Sequence, residues 1–221
     1  MIKHLKPVID KSLQRNYSAG SIILYQGEAP RSGYVLADGV VKVYSISNEG
    51  DEQIVMFLVA GDVFPISWLF NKSPAVMFFY EAFTYCRVAV VPPEELKQAL
   101  METPEKMASL IDYFAKNYTA SQVRINALQQ PKARDKLVYM LYYLCRLYGE
   151  NESPSERIVI PIALTHQNFA SLVGLTRETT AIEMNTLKKQ KVISYRQQMY
   201  YVNLKKLLEI IGEDSFSNIK V

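Results

Sequence analysis

Seven residues, Met107, Ile111, Phe114, Tyr118, Ser121, Ile125 and Leu128, follow one another in steps of 4, 3, 4, 3, 4 and 3. An α-helix turns once every ~3.6 residues, so positions with this alternation stay in one narrow stripe along its side. Pro131 closes the segment; a proline lacks the amide hydrogen that a helix interior needs. The chain therefore contains a long helix with an apolar seam. Such a seam suits a second copy of the same helix, and the reading is a parallel homodimer. Packing of the stripe on the chain's own N-terminal domain is the alternative. Asn117 and Arg124 flank the seam and would set its register if they faced the partner.

Ahead of this helix, from Ser21 to Pro92, short β-branched and aromatic runs alternate with turn chemistry. The runs are SIILY, YVLADGVVKVYSI, QIVMFLV, VMFFYEAF and CRVAVV, and the turns include ADG, NEG and AGD. Glycines at 20, 27, 33, 39, 50 and 61 supply the punctuation. This is the pattern of an antiparallel sandwich or barrel, ended by Pro92-Pro93. The fold class is α+β. A jelly-roll-like barrel spans 1–103, the dimerisation helix 104–130, and a winged helix-turn-helix 131–221.

Beyond Pro131, KARDKLVYMLYYLCRLYG places Leu137, Met140, Leu141, Leu144, Cys145 and Tyr148 on one helical face, as a core helix does. GENESPSE reads as a polar loop and RIVIPIAL as a strand. Thr165 is placed to cap a helix from His166 to Val173, and Gly174 to stop it in the left-handed conformation. Ala170 is small enough for close helix approach, and Thr176 caps the next helix. There, Thr180, Met184 and Leu187 face inward, while Glu178, Ile182, Asn185 and Lys189 face out.

The first turn of such a second helix reaches base edges in the major groove. Arg177 can pair with guanine or a phosphate, Glu178 can accept from cytosine, and Thr179 can reach a phosphate or a thymine methyl. The cap residues Thr165 and Thr176, with Asn185, join these candidate DNA contacts. Lys188 and Lys189 could neutralise phosphates; favourable placement at a helix C-terminus is the plainer reading. VISYRQQMYYVN reads as two strands with Arg196-Gln197-Gln198 at the turn, a wing whose Arg196 would also meet DNA.

The charge balance agrees in sign. Residues 1–130 hold 12 basic and 13 acidic side chains, and residues 131–221 hold 13 and 9. A basic excess in the C-terminal part fits a polyanion such as double-stranded DNA. Cys86 and Cys145 are isolated in sequence and read as buried thiols, without a disulfide or a metal site. The N-terminus lacks the apolar core of a signal peptide, and no uncharged run spans a bilayer, so the expectation is a cytoplasmic protein with no membrane partner. There is no Gly-x-Ser-x-Gly, no phosphate-cradling loop and no His/carboxylate metal spacing, so no enzyme, cofactor or metal is expected.

GYVLADGVVKVY (Gly33–Tyr44), GDVF (Gly61–Phe64) and VGLTRETT, in the order barrel, long helix, winged helix-turn-helix, resemble the Crp/Fnr family of bacterial transcription regulators. The resemblance implies DNA contacts from Arg177, Glu178 and Thr179, and a dimer along Met107–Leu128. Where many members carry a basic residue, this chain has Ile182, which offers only apolar contact, as with a thymine methyl. The cyclic-nucleotide binders' Glu and Arg-Ser are replaced near Pro65, Ile66, Val76 and Met77. Without those charges a cyclic phosphate would be costly to bury, so no cyclic-AMP response is expected.

No N-terminal cysteine cluster is present for an iron–sulfur sensor. His4 and His166 read as ordinary surface histidines rather than haem ligands. Phe64, Trp68, Val76 and Phe78 are the candidate apolar effector pocket, with plain core filling as the alternative. The expected partners are DNA, a second copy of the chain, RNA polymerase and a small-molecule effector of unknown identity. A ligand-sensing or protein-interaction scaffold with residual DNA binding is the competing reading.

Overall fold

A computed structural model describes residues 5–152 and 157–212. His4 and part of the GENESPSE segment lie outside them. The chain divides into two compact units, residues 1–115 and 116–221. In chain order the first unit holds α1 (Lys6–Lys11), β1 (Leu13–Tyr17), β2 (Ile22–Leu24), β3 (Gly33–Asp38), β4 (Val40–Ile46), β5 (Glu52–Val59) and β6 (Val63–Phe64). There follow α2 (Ile66–Leu69), β7 (Phe79–Ala82), β8 (Cys86–Val91), α3 (Pro93–Met101) and the start of α4 (Pro104–Gln129). The second unit continues with α5 (Ala133–Tyr148), β9 (Glu150–Glu152), β10 (Arg157–Ile160), α6 (His166–Val173) and α7 (Arg177–Lys189). It closes with β11 (Ile193–Arg196), β12 (Met199–Asn203) and α8 (Leu204–Ile211).

Two antiparallel sheets, ordered β1-β8-β3-β6 and β2-β7-β4-β5, build the N-terminal unit as the turn pattern implies. Their side chains alternate between two cores. Tyr34 and Leu36 of β3 join Val41, Val43 and Val88 in the first, while Val35 joins Ala89 and Val91 in the second, under Leu96 and Leu100 of α3. Because β3 and β8 are covered on both faces, they read as continuous apolar runs rather than alternating ones. Each such valine or leucine, fully buried, contributes roughly 1.5–3 kcal/mol. The β3–β4 turn needs glycine: Gly39 has φ +93°, and a Cβ there would meet the Tyr85 carbonyl oxygen.

Two strands escape the sequence pattern. β1 is an edge strand, paired only with β8 and mostly exposed, so its LQRNY sequence shows no apolar run. β9 corrects the reading of GENESPSE as loop throughout: Glu150–Glu152 pairs with β10 through its backbone, and its polar side chains carry no trace of that. α5 is also more deeply set than a one-faced helix, with Val138, Tyr139, Tyr142 and Tyr143 buried beside the six residues of the apolar face.

On α4, the side opposite the heptad stripe is the buried one. Leu110, Ala120, Val123 and Ala127 are covered, whereas Met107, Ile111, Phe114, Tyr118, Ser121 and Ile125 are exposed and Leu128 is half-buried. Phe114 also meets Phe70 edge-on, at 6.2 Å between ring centroids. Arg124 turns inward rather than along the seam, donating to the Leu172 carbonyl at 3.3 Å. Among the described residues no helix is long and apolar enough to cross a membrane.

Candidate nucleic-acid interface

Helix α6 begins in a reciprocal cap. The Asn168 amide donates to the Thr165 hydroxyl at 3.2 Å, and the Thr165 amide donates to the Asn168 side-chain oxygen at 2.8 Å. Two backbone donors that a helix start leaves orphaned are thereby satisfied. At the far end Gly174 takes φ 66° and ψ 46°, and the Leu175 amide donates to the Ala170 carbonyl at 3.1 Å. This left-handed stop turns the chain at once into α7.

Thr176 caps α7, accepting from the Thr179 amide at 3.2 Å, and the two hydroxyls lie 2.9 Å apart. With Thr176 donating to Thr179, the Thr179 hydroxyl keeps its own hydrogen for an outside acceptor. Thr180, Met184 and Leu187 are buried, at 0%, 1% and 0% exposure, and anchor the helix. Arg177, Glu178, Ile182, Asn185, Lys188 and Lys189 are exposed. Ile182, 65% exposed, is an apolar side chain in the middle of an otherwise polar surface.

Beside this helix a groove of about 520 Å³ is lined by Thr165, His166 and Gln167 of α6, by Arg177, Met184, Asn185 and Lys188 of α7, and by Ile193, Tyr195 and Tyr200 of the wing. Tyr200 braces its floor, meeting Phe169 and Tyr195 at ring-centroid distances of 5.1 and 4.8 Å. Four of the ten residues singled out from sequence thus share one concave surface: Thr165, Arg177, Asn185 and Lys188. Glu178, Ile182 and Lys189 lie on the exposed side of α7, Thr176 and Thr179 at its cap, and Arg196 on the wing.

Arg196 departs from its expected place. It is the last residue of β11, paired with Met199, and only Gln197 and Gln198 form the turn, with φ of 52° and 63°. Two successive positive φ values match the twist of a two-residue hairpin. The Arg196 guanidinium lies 3.3 Å from the Glu152 carboxylate and 5.0 Å from the centre of the Tyr201 ring. An arginine held this way already has a counter-charge, which weakens its claim on a phosphate. His166, which reads in sequence as a surface histidine, and Gln167, Tyr195 and Tyr200 are not among the DNA contacts expected from sequence. The first two occupy the opening turn of a capped helix, a signal that could have drawn attention to them.

In the N-terminal unit three of the four candidate effector residues share one core and Trp68 lies apart. Phe64 stacks between Tyr34 and Tyr80, at centroid distances of 5.5 and 5.3 Å, and packs with Val76 and Phe78 between the two sheets. Trp68 packs against the other core, under α3. At the positions taken for the lost cyclic-nucleotide contacts, Pro65 and Val76 are buried, Ile66 is half-buried and Met77 is 52% exposed.

A capped helix-turn-helix with a wing, following a double-sheet barrel and a long helix, is the framework of a DNA-binding regulator. A family model described as Cyclic nucleotide-binding domain matches residues 14–103, and one described as Crp-like helix-turn-helix domain matches residues 136–210. The chain belongs to the Crp/Fnr family of transcription regulators. It is 27% identical over 198 residues to the global nitrogen regulator of Nostoc sp., covering 89% of this chain and 86% of that one. It is 24% identical over 197 residues to the cAMP-activated global transcriptional regulator CRP of Salmonella typhimurium, covering 86% and 92%. In fold it is similar to a CooA mutant from Carboxydothermus hydrogenoformans, with a TM-score of 0.74, 20% identity, and coverage of 94% and 91%.

Proposed function

We propose that this protein is a cytoplasmic homodimer that regulates transcription by reading a two-fold-related DNA site, with one α7 helix in each of two successive major grooves ~34 Å apart. The observation that carries this reading is the first turn of α7. There Arg177 and Glu178 stand exposed beside the Thr176–Thr179 cap, on a helix whose opposite face is fully buried. The exposed seam of α4 supports the two-fold pairing.

The effector is a separate matter. The Salmonella typhimurium relative is named as cAMP-activated, but this chain has no carboxylate or guanidinium at Pro65, Ile66, Val76 or Met77, where a cyclic phosphate and ribose would need them. Control by a ligand other than a cyclic nucleotide is the reading these residues favour, and RNA polymerase is the partner a regulator of this family would address. Selection of bound duplexes from a random pool tests the central claim. A palindromic product whose enrichment is lost with Arg177→Ala supports it. Without selective enrichment, the protein would be a sensing or interaction scaffold.

A further inference from the structure

The groove between α6, α7 and the wing gathers basic groups without a counter-charge. Arg177 and Lys188 of α7 line it together with Thr165, His166 and Gln167 of α6 and Tyr195 and Tyr200 of β11 and β12, and Arg177 is close enough to act on the His166 charge. None of the described residues lining the groove is a carboxylate. Burial, and then the neighbouring Arg177 guanidinium, push the His166 imidazole below its usual range, and burial raises the Tyr200 phenol. In the free protein at neutral pH the ring is therefore uncharged, since burial and the Arg177 guanidinium both disfavour its cationic form.

An anion entering the groove reverses that balance. A phosphodiester neutralises Arg177 and Lys188 and offers oxygens that an imidazolium can donate to, so the charged form of the ring becomes the favoured one. We propose that His166 contacts the DNA backbone, and that each protomer takes up one solvent proton on this imidazole as the duplex docks. This rests on the DNA-reading role proposed above. Between the imidazole's free and bound titration points, affinity rises as pH falls, by up to about tenfold per pH unit per protomer. Below the free-protein titration point the dependence vanishes, because the ring is already charged in both states.

The test measures affinity for a duplex recovered by selection, at constant ionic strength, from about pH 8 to about pH 6. Wild type is expected to bind more tightly towards the acid end. His166→Gln should bind more weakly there with a flattened profile, and His166→Arg, permanently charged, should bind tightly with the same flat profile. A wild-type slope retained in His166→Gln, or a flat wild-type profile with tight binding, overturns the inference and leaves DNA reading intact. Absence of duplex binding at every pH removes the DNA-reading proposal itself, and this one with it.

Discussion

The guanidinium of Arg124, on the long helix, donates to the carbonyl of Leu172, in the last turn of α6, across 3.3 Å. The final carbonyls of a helix have no partner within it, and a cation there also meets the negative end of its dipole. Burial lowers the pKa of this arginine, so its charge is held at some cost in solvation. The contact ties the long helix directly to the DNA-reading element inside one compact unit.

Arg124→Ala therefore removes a hydrogen bond and the packing of a long stem together. Stability of the full-length protein in urea should fall by about 2 kcal/mol or more. A change below about 0.5 kcal/mol, the range of an ordinary surface substitution, would show the link to be inconsequential.

Thr180 presents the opposite case. Its side chain is 0% exposed, and among the described residues its hydroxyl has no hydrogen-bond partner. Burying a hydroxyl without one is costly, and valine keeps the shape. Thr180→Val should raise stability by about 1 kcal/mol, read as a higher urea midpoint at unchanged slope. A lower midpoint would mean that the hydroxyl is satisfied after all.

Ile182 is expected to read a thymine by its methyl group. Replacing the facing thymine with deoxyuridine removes that methyl alone, and should weaken wild type about fourfold, the worth of one buried carbon. Ile182→Ala should lose most of this discrimination, so a double-mutant cycle separates the contact from general weakening. Equal losses in both proteins would place the methyl contact elsewhere.

The α4 stripe predicts the assembly. Ile111 and Ile125 are 66% and 48% exposed in the single chain, and a carboxylate at either place would be buried unpaired in a helix pair. Sedimentation of Ile111→Glu/Ile125→Glu should give a monomer of 25.3 kDa where wild type gives twice that mass, with the helical circular dichroism retained. A dimer that survives both changes would put the interface on another surface.

The features legible in the order of residues are those whose cause is local. The heptad stripe, the glycine turns, the Thr165 and Thr176 caps and the Gly174 stop all act within about one helical turn or one tight turn. So does the division of α7 into a buried face at Thr180, Met184 and Leu187 and an exposed one at Ile182 and Asn185. The remaining features depend on the folded chain, because there the partner is remote in sequence. β1 exists through backbone pairing of Leu13 with Val90, to which its polar side chains give no clue. Arg124 turns to a carbonyl 48 residues away instead of the seam, and Trp68 parts from Phe64 because a sheet stands between their cores. His166 reads in sequence as one more surface histidine, and it becomes a groove residue only where α7, with Arg177 and Lys188, and the tyrosines of the wing line the same groove.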